Sequence, residues 1–238
     1  MSGVFPDGYA PLVPEDDYLA AGAHIGTHQR SHDMERFIHK VREDGVALLQ
    51  LHQTDLRLRA AAKFLARIDS GKIMAVSARQ YGATPVQKFA QATGSKASIG
   101  RFIPGTLTNP NLAVYDECQA LVVSDPVADA QPLTEAFSVG VPVVAFCHTA
   151  SSLQCIDLAI PANNKGRKSL ALLYYLMARE VRRARGWDEM SLQLKDFEAE
   201  SPPVGLQAPI RRPPEERRRG RSSREERAGE RRSRFAEA

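Results

Sequence analysis

The chain has 238 residues, 43% of them hydrophobic, with 32 Lys and Arg against 28 Asp and Glu. That is enough for one sizeable core and too little for two large ones, and no apolar run approaches the ~20 residues of a membrane-spanning helix. The excess charge is local: residues 211–238 hold 11 Arg and 6 Glu, leaving 21 basic and 22 acidic residues before them, so nucleic-acid binding by the body must come from clusters of cations and not from a global positive field.

Four regions follow in chain order. Residues 1–14 are rich in Pro and Gly and are expected to be loosely ordered until they dock; 15–200 form the globular body; 201–238 form an Arg/Glu-rich tail, disordered or docked on RNA or protein, with too few large apolar residues to offset its ordering entropy. Within the body, 46–51 reads as a strand. Thr54 reads as an N-cap before a helix over 55–68, with Leu56, Ala60, Phe64 and Leu65 at helical spacing. A second strand covers 72–77. Thr84 and Pro85 read as cap and first residue of a helix that ends at Gly94. A third strand covers 121–124, and Gln131 and Pro132 open a helix ending at Gly140. Strands four and five cover 142–146 and 156–160. The longest helix spans 166–185, with Leu170, Leu173, Tyr174 and Met177 on one face, and 187–200 reads as a short amphipathic helix. The repeated strand–helix order predicts an α/β fold: three layers, with a doubly wound, mostly parallel five-stranded sheet between helices.

Such a sheet binds ligands at the carboxyl ends of its strands. None of those turns is a G-x-G-x-x-G, Walker or G-x-S-x-G motif. Asp125, Asp129 and Glu135 lie close in sequence and fit either an acid/base pair or magnesium ligands, or else a turn cap at Asp125 with the other two solvated at a helix start. A sugar-phosphate or nucleotide-binding enzyme that uses backbone amides is the alternative function. His24, His28 and His32 are spaced by four and would share a helix face as zinc ligands do, but Gly22 and Gly26 weaken that helix by about 1 kcal/mol each. Cys118, Cys147 and Cys155 are odd in number and lack a C-x-x-C pair, which argues against a disulfide framework and a zinc ribbon, and small buried thiols are expected. No catalytic residue, cofactor or metal is expected, and the absence of a basic-then-apolar leader makes a cytoplasmic location the expectation.

Three loops combine glycine, small polar groups and cations. They contain His24, Gly26, Thr27, His28 and Arg30; Arg101, Phe102, Thr106, Thr108 and Asn109; and Asn163, Asn164, Lys165, Arg167 and Lys168. Glycine admits a phosphate close to the backbone, hydroxyls and amides donate to its oxygens, and Arg or Lys adds charge. Arg79 in a strand-end turn, and Arg182 and Arg183 in the basic end of the longest helix, complete the candidate docking set. Favourable placement near a helix C-terminus is the competing account of that basic end.

The ordered motifs GAHIGT at 22–27, DG at 44–45, AQATG at 90–94, GRFIPGTLTN at 100–109, SDPVADAQPLTEA at 124–136, IPANNKG at 160–166 and MAREV at 177–181 resemble the small-subunit ribosomal protein two family, called the SA or laminin-receptor-precursor family in animals. The resemblance implies a flavodoxin-like body without catalytic activity, bound to the ribosome. Its partners would be small-subunit rRNA and neighbouring ribosomal proteins, at the head–body junction on the solvent side; no membrane and no small-molecule substrate is implied. Bacterial members carry a helical hairpin after the segment matching 105–109, and its absence here resembles the archaeal and eukaryotic branch. The tail departs from the acidic tail of animal members. The resemblance also turns 125–135 from a catalytic candidate into a fold and docking signature.

Overall fold

The computed structural model describes residues 5, 6, 8–188 and 190–199. The apolar strands Ile73–Ser77 (β3), Ala120–Val123 (β5), Val143–Cys147 (β6) and Leu158–Pro161 (β7), with Lys96–Ile99 (β4), form one parallel sheet in the order β4-β3-β5-β6-β7. Every pairing is parallel, with Ala75 opposite both Ala97 and Val122. Strands that are apolar on both faces need cover on both. Ile73, Ala75, Val122, Phe146 and Ile160 face one core, and Met74, Val76, Val123, Ala145 and Cys147 face the other, with the period of two a strand dictates.

The two covers differ. The first is helical: Glu15–Ala21 (α1), Leu51–Ala66 (α2), Gln80–Thr93 (α3), Arg167–Ala184 (α5) and the single turn Leu194–Phe197 (α6). Tyr174 of α5 sits at its centre, edge-on to Phe89 and Phe146 with ring centroids 5.7 and 5.0 Å away, and its hydroxyl meets the Ser124 hydroxyl at 2.7 Å. The second cover contains one α-helix, Ala130–Val139 (α4), beside the 3-10 turn His32–Phe37 and the crossover between β4 and β5, which buries Phe102 and Leu107. That crossover is all turn and coil, so the helical-hairpin position is empty of helix, as the resemblance implied.

The expected strand at 46–51 exists as Ala47–Leu49 (β2) but belongs elsewhere. It pairs antiparallel with Ile38–Val41 (β1), outside the parallel sheet, whose fifth member is β4. Pattern identifies a strand but not its partner, and Lys-Ala-Ser-Ile in β4 lacks the apolar run of a buried strand because it is an edge. Helix starts also shift. Thr54 lies inside α2, where its hydroxyl donates to the Pro161 carbonyl at 2.5 Å. Pro85 lies inside α3, removing one ladder N–H, so the cap and first-turn reading at Thr84 and Pro85 is corrected. The predicted stop holds: Gly94 closes α3 at φ +72, and Gly140 closes α4 at φ +78, left-handed conformations that favour glycine. Of the expected helix at 187–200, only α6 forms among the described residues.

The described part of the N-terminal extension is docked on the body. Asp55, fully buried on α2, accepts from the Tyr9 hydroxyl (2.5 Å), the Tyr18 hydroxyl (2.8 Å), the Leu12 amide (2.9 Å) and Arg59 (2.9 Å), and Phe5 stacks on Tyr9. Four donors offset the cost of burying a carboxylate. Burial and the neighbouring Asp55 charge push the Tyr9 hydroxyl up to about 12. The tail expected over 201–238 lies outside the described residues.

Candidate nucleic-acid interface

The carboxyl ends of the five strands meet at one edge, where the chain turns at Ala78, Gly100, Ser124, His148 and Ala162. Parallel strands leave amides unpaired there, and these turns fill them from within. Asp129 accepts from the Ala78 amide at 2.6 Å and the Asp125 amide at 3.2 Å. Asp125 is fully buried; it pairs with Arg79 and accepts from the Val127 amide (3.1 Å) and the Asn164 side chain (3.2 Å). Glu135 accepts from the Gly105 amide (2.7 Å), the Leu107 amide (3.1 Å) and Gln131 (2.8 Å). Burial raises the Asp129 carboxyl to about 6, partly countered by its two amide donors. Asp129 and Glu135 are 2% and 5% exposed, so their expected solvation is corrected: they are internal clamps. A catalytic carboxylate needs access to a substrate, and these are saturated by backbone N–H groups.

The strand order makes the gap between β3 and β5 the topological switch point, where a doubly wound fold holds its ligand. An open cleft of about 430 Å³ lies there, lined by Ala78, Gly100, Arg101, Phe102, Asp129 and Gln131 among others. The two amides that would meet a phosphate are already held by Asp129. This is the geometric reason the enzyme alternative fails.

The candidate docking residues divide by what they touch. Arg79 serves Asp125. Asn164 is fully buried and donates to the Phe146 carbonyl at 2.9 Å. Asn163 shapes the turn that leads into α5, accepting from the Lys165 and Gly166 amides (3.1 and 3.3 Å) while donating to the Gly22 carbonyl at 3.0 Å. Phe102 and Thr106 are buried, and the Thr106 hydroxyl donates to the Ile103 carbonyl at 2.7 Å. Residues 24–27 form an extended segment along β2, with Leu49 donating to the His24 carbonyl at 2.8 Å and Gly26 donating to that of Ala47 at 2.9 Å. A Cβ at Gly26 would collide with Thr149 and the Ala47 carbonyl, so this glycine serves protein packing. Thr27 hydrogen-bonds Thr149 through both its amide and its hydroxyl, each at 2.9 Å. The extended backbone also removes the helix face on which His24, His28 and His32 would have held zinc, and no cluster of three metal-ligating side chains occurs among the described residues. His24 is partly buried, and desolvation lowers its pKa.

What the carboxyl edge presents outward is cationic and polar. His28, Arg30, Arg101, Lys165 and Lys168 are exposed. Arg30, Arg101, Lys165 and Lys168 make no ion pair among the described residues. Arg167 is half-buried beside them, and Thr108 and Asn109 are exposed in the crossover.

Arg182 and Arg183 lie near the other end of α5, about 21–24 Å from Lys168 and Arg167 at 1.5 Å per residue. The cations there serve other helices. Arg185 donates to the carbonyls of Leu65 (3.1 Å), Ile68 (2.6 Å) and Thr93 (3.3 Å), and pairs with Ser70, closing the C-termini of α2 and α3 together. Arg182 donates to the carbonyls of Ala92 (2.8 Å) and Asp188 (2.9 Å), and Trp187 lies under both guanidiniums. Arg183 is exposed beside Glu180. Arg182 thus serves the C-terminus of α3 and the segment after α5. Arg185, outside the candidate set, does most of this work, and only its position in the last turn hinted at it.

Cys118 and Cys147 are buried as expected, Cys118 in a loop, but Cys155 is exposed at φ +61.

In this doubly wound fold Asp129 occupies the Ala78 and Asp125 amides at the ligand edge, and that edge displays cations that make no ion pair among the described residues, an arrangement suited to a binding scaffold. The family model for ribosomal protein S2 matches residues 18–116 and 114–184, so the chain belongs to the ribosomal protein S2 family, a structural and non-enzymatic one. It is 50% identical over 198 residues to the small ribosomal subunit protein uS2 of Haloquadratum walsbyi, covering 83% of this chain and 71% of that one. It is also 50% identical over 190 residues to uS2 of Methanoregula boonei, covering 80% and 93%. Both relatives are archaeal, in accord with the archaeal-type reading. Among the described residues, no helix is long and apolar enough to cross a membrane.

Proposed function

We propose that the protein is a structural constituent of the small ribosomal subunit that binds small-subunit rRNA through the carboxyl edge of its sheet. One observation carries this: Arg30, Arg101, Lys165 and Lys168 are exposed on that edge and make no ion pair among the described residues, while Asp125, Asp129 and Glu135 beside them are buried under hydrogen-bond donors. Phosphates meet these cations while Asp125, Asp129 and Glu135 are buried, and the nearby Asp33 carboxylate has one oxygen held by the Leu153 amide. Neighbouring ribosomal proteins are the second class of partner, and the head–body junction on the solvent side is the position the family resemblance supports. The protein is then ribosome-bound in the cytoplasm. The body of 15–200 is the docking unit, and the tail of 201–238, with its excess of Arg, adds sequence-independent affinity.

Sedimentation tests the reading. The purified chain should pellet with small subunits at low salt, and its affinity should fall steeply as salt rises, because each phosphate contact releases counterions. Deleting 211–238 should lower affinity and salt slope while leaving the thermal midpoint unchanged. A chain that stays in the supernatant at low salt contradicts the proposal.

A further inference from the structure

The four most exposed large hydrophobic residues among those described share one region: Phe137 (70%), Val127 (61%), Val139 and Ile103 (50% each). Val127 precedes α4, Phe137 and Val139 lie on it, and Ile103 lies in the crossover that Glu135 ties to α4. Single exposed apolar residues are ordinary, but a cluster marks a contact surface. Its electrostatics are unusual in this chain. Residues 102–164 contain no Lys or Arg, although the whole chain has 32. Acidic groups border the C-terminal end of α4: Glu117 is exposed just before β5, and the exposed Asp157 pairs its backbone with Val143 at the start of β6. The helix C-terminus adds negative potential.

We propose that the outer face of α4 is a docking surface for a neighbouring small-subunit protein that presents apolar side chains flanked by Lys or Arg. This rests on the ribosomal reading and adds the partner's chemistry and place. RNA fits the C-terminal end of α4 poorly, because the exposed side chains of the helix itself, Gln131, Thr134, Phe137, Ser138 and Val139, include no cation, whereas Arg101 borders only its N-terminal end. A basic partner satisfies both parts of the surface: the apolar residues exclude water and the acidic rim steers the approach.

The full-length Phe137→Lys protein, with Phe137→Ala as a milder second variant, tests this. Affinity is measured for protein-free small-subunit rRNA, and for small subunits stripped of this protein alone. Both variants should match the parent on naked rRNA and in thermal midpoint. Phe137→Lys should lose about 10-fold or more on stripped subunits, and Phe137→Ala less. Equal retention on stripped subunits overturns the proposal. So does a parallel change on both targets, tighter or weaker, which would place RNA on this face. A parent dimer in solution that Phe137→Lys dissolves would make a second copy the occupant and overturn it as well. If the parent itself fails to enter stripped subunits, the ribosomal reading fails instead.

Discussion

Two ends of the molecule are basic in sequence, and their cations do opposite things. At the end of α5, guanidiniums turn inward onto carbonyl groups: Arg185 closes two helices at once, Arg182 a third site, and Arg179 holds the Leu12 carbonyl at 2.8 Å. At the carboxyl edge of the sheet the carboxylates turn inward, onto amides, and the cations other than Arg79, which pairs with Asp125, are left facing out. Composition is similar at the two ends, and the difference lies in which backbone groups go unpaired. Helix C-termini expose carbonyls and attract cations; the turns after parallel strands expose N–H groups and attract carboxylates. Function follows from what remains unused.

The sharpest contrast comes from Arg185→Met. It should leave the carbonyls at the ends of α2 and α3 without their donor and cost about 3 kcal/mol, read from the urea midpoint, with rRNA affinity per folded molecule unchanged. A loss of affinity without a loss of stability would place this end in the RNA interface. On the other side, Glu135→Ala should cost about 2–3 kcal/mol by leaving the Gly105 and Leu107 amides unpaired, and should expose residues 103–112 to proteolysis first. A variant as stable as the parent would mean Glu135 is not the clamp.

His148 gives the edge a pH dependence. It is 4% exposed, and burial, with Lys165 close by, lowers its pKa to about 4. The folded state therefore keeps it neutral while the unfolded chain takes a proton near 6.5. The stability it contributes is full above 6.5 and is lost as pH falls toward 4. Asp129, raised to about 6, runs the other way: its contribution is present below the unfolded carboxylate range near 3.8 and lost as pH rises through 6. The comparison must therefore be with His148→Asn. Between pH 7 and 5 the parent should lose roughly 2 kcal/mol relative to that variant. Parallel stability curves would remove His148 from the account.

How much of this could be read from sequence depends on the range of each contact. Gly94 and Gly140 announce helix ends because the left-handed residue is local. The motif at 124–136 was visible, but its meaning was not: Asp129 reaches Ala78, 51 positions away, and Glu135 reaches Gly105, 30 away. For the same reason the candidate list mixed Asn164 and Arg79, which hold the fold, with Lys165 and Arg101, which face outward. Residue type marks a group that can bind phosphate, while long-range partners decide whether it is free to do so. β4 was missed because an edge strand needs no apolar run, and β2 was found but assigned to the wrong sheet because its pattern does not name its partner.

The central claim is that the carboxyl edge, and not the end of α5, meets RNA. The salt dependence of rRNA binding tests it directly, comparing the parent with the triple variant Arg101→Ala, Lys165→Ala, Lys168→Ala and with Arg182→Ala, Arg183→Ala. The triple variant should lose about 10-fold in affinity at low salt and reduce the slope of log K against log salt by about 2–3. The α5 pair should leave the slope unchanged. An unchanged slope in the triple variant together with a reduced slope in the α5 pair would contradict the account.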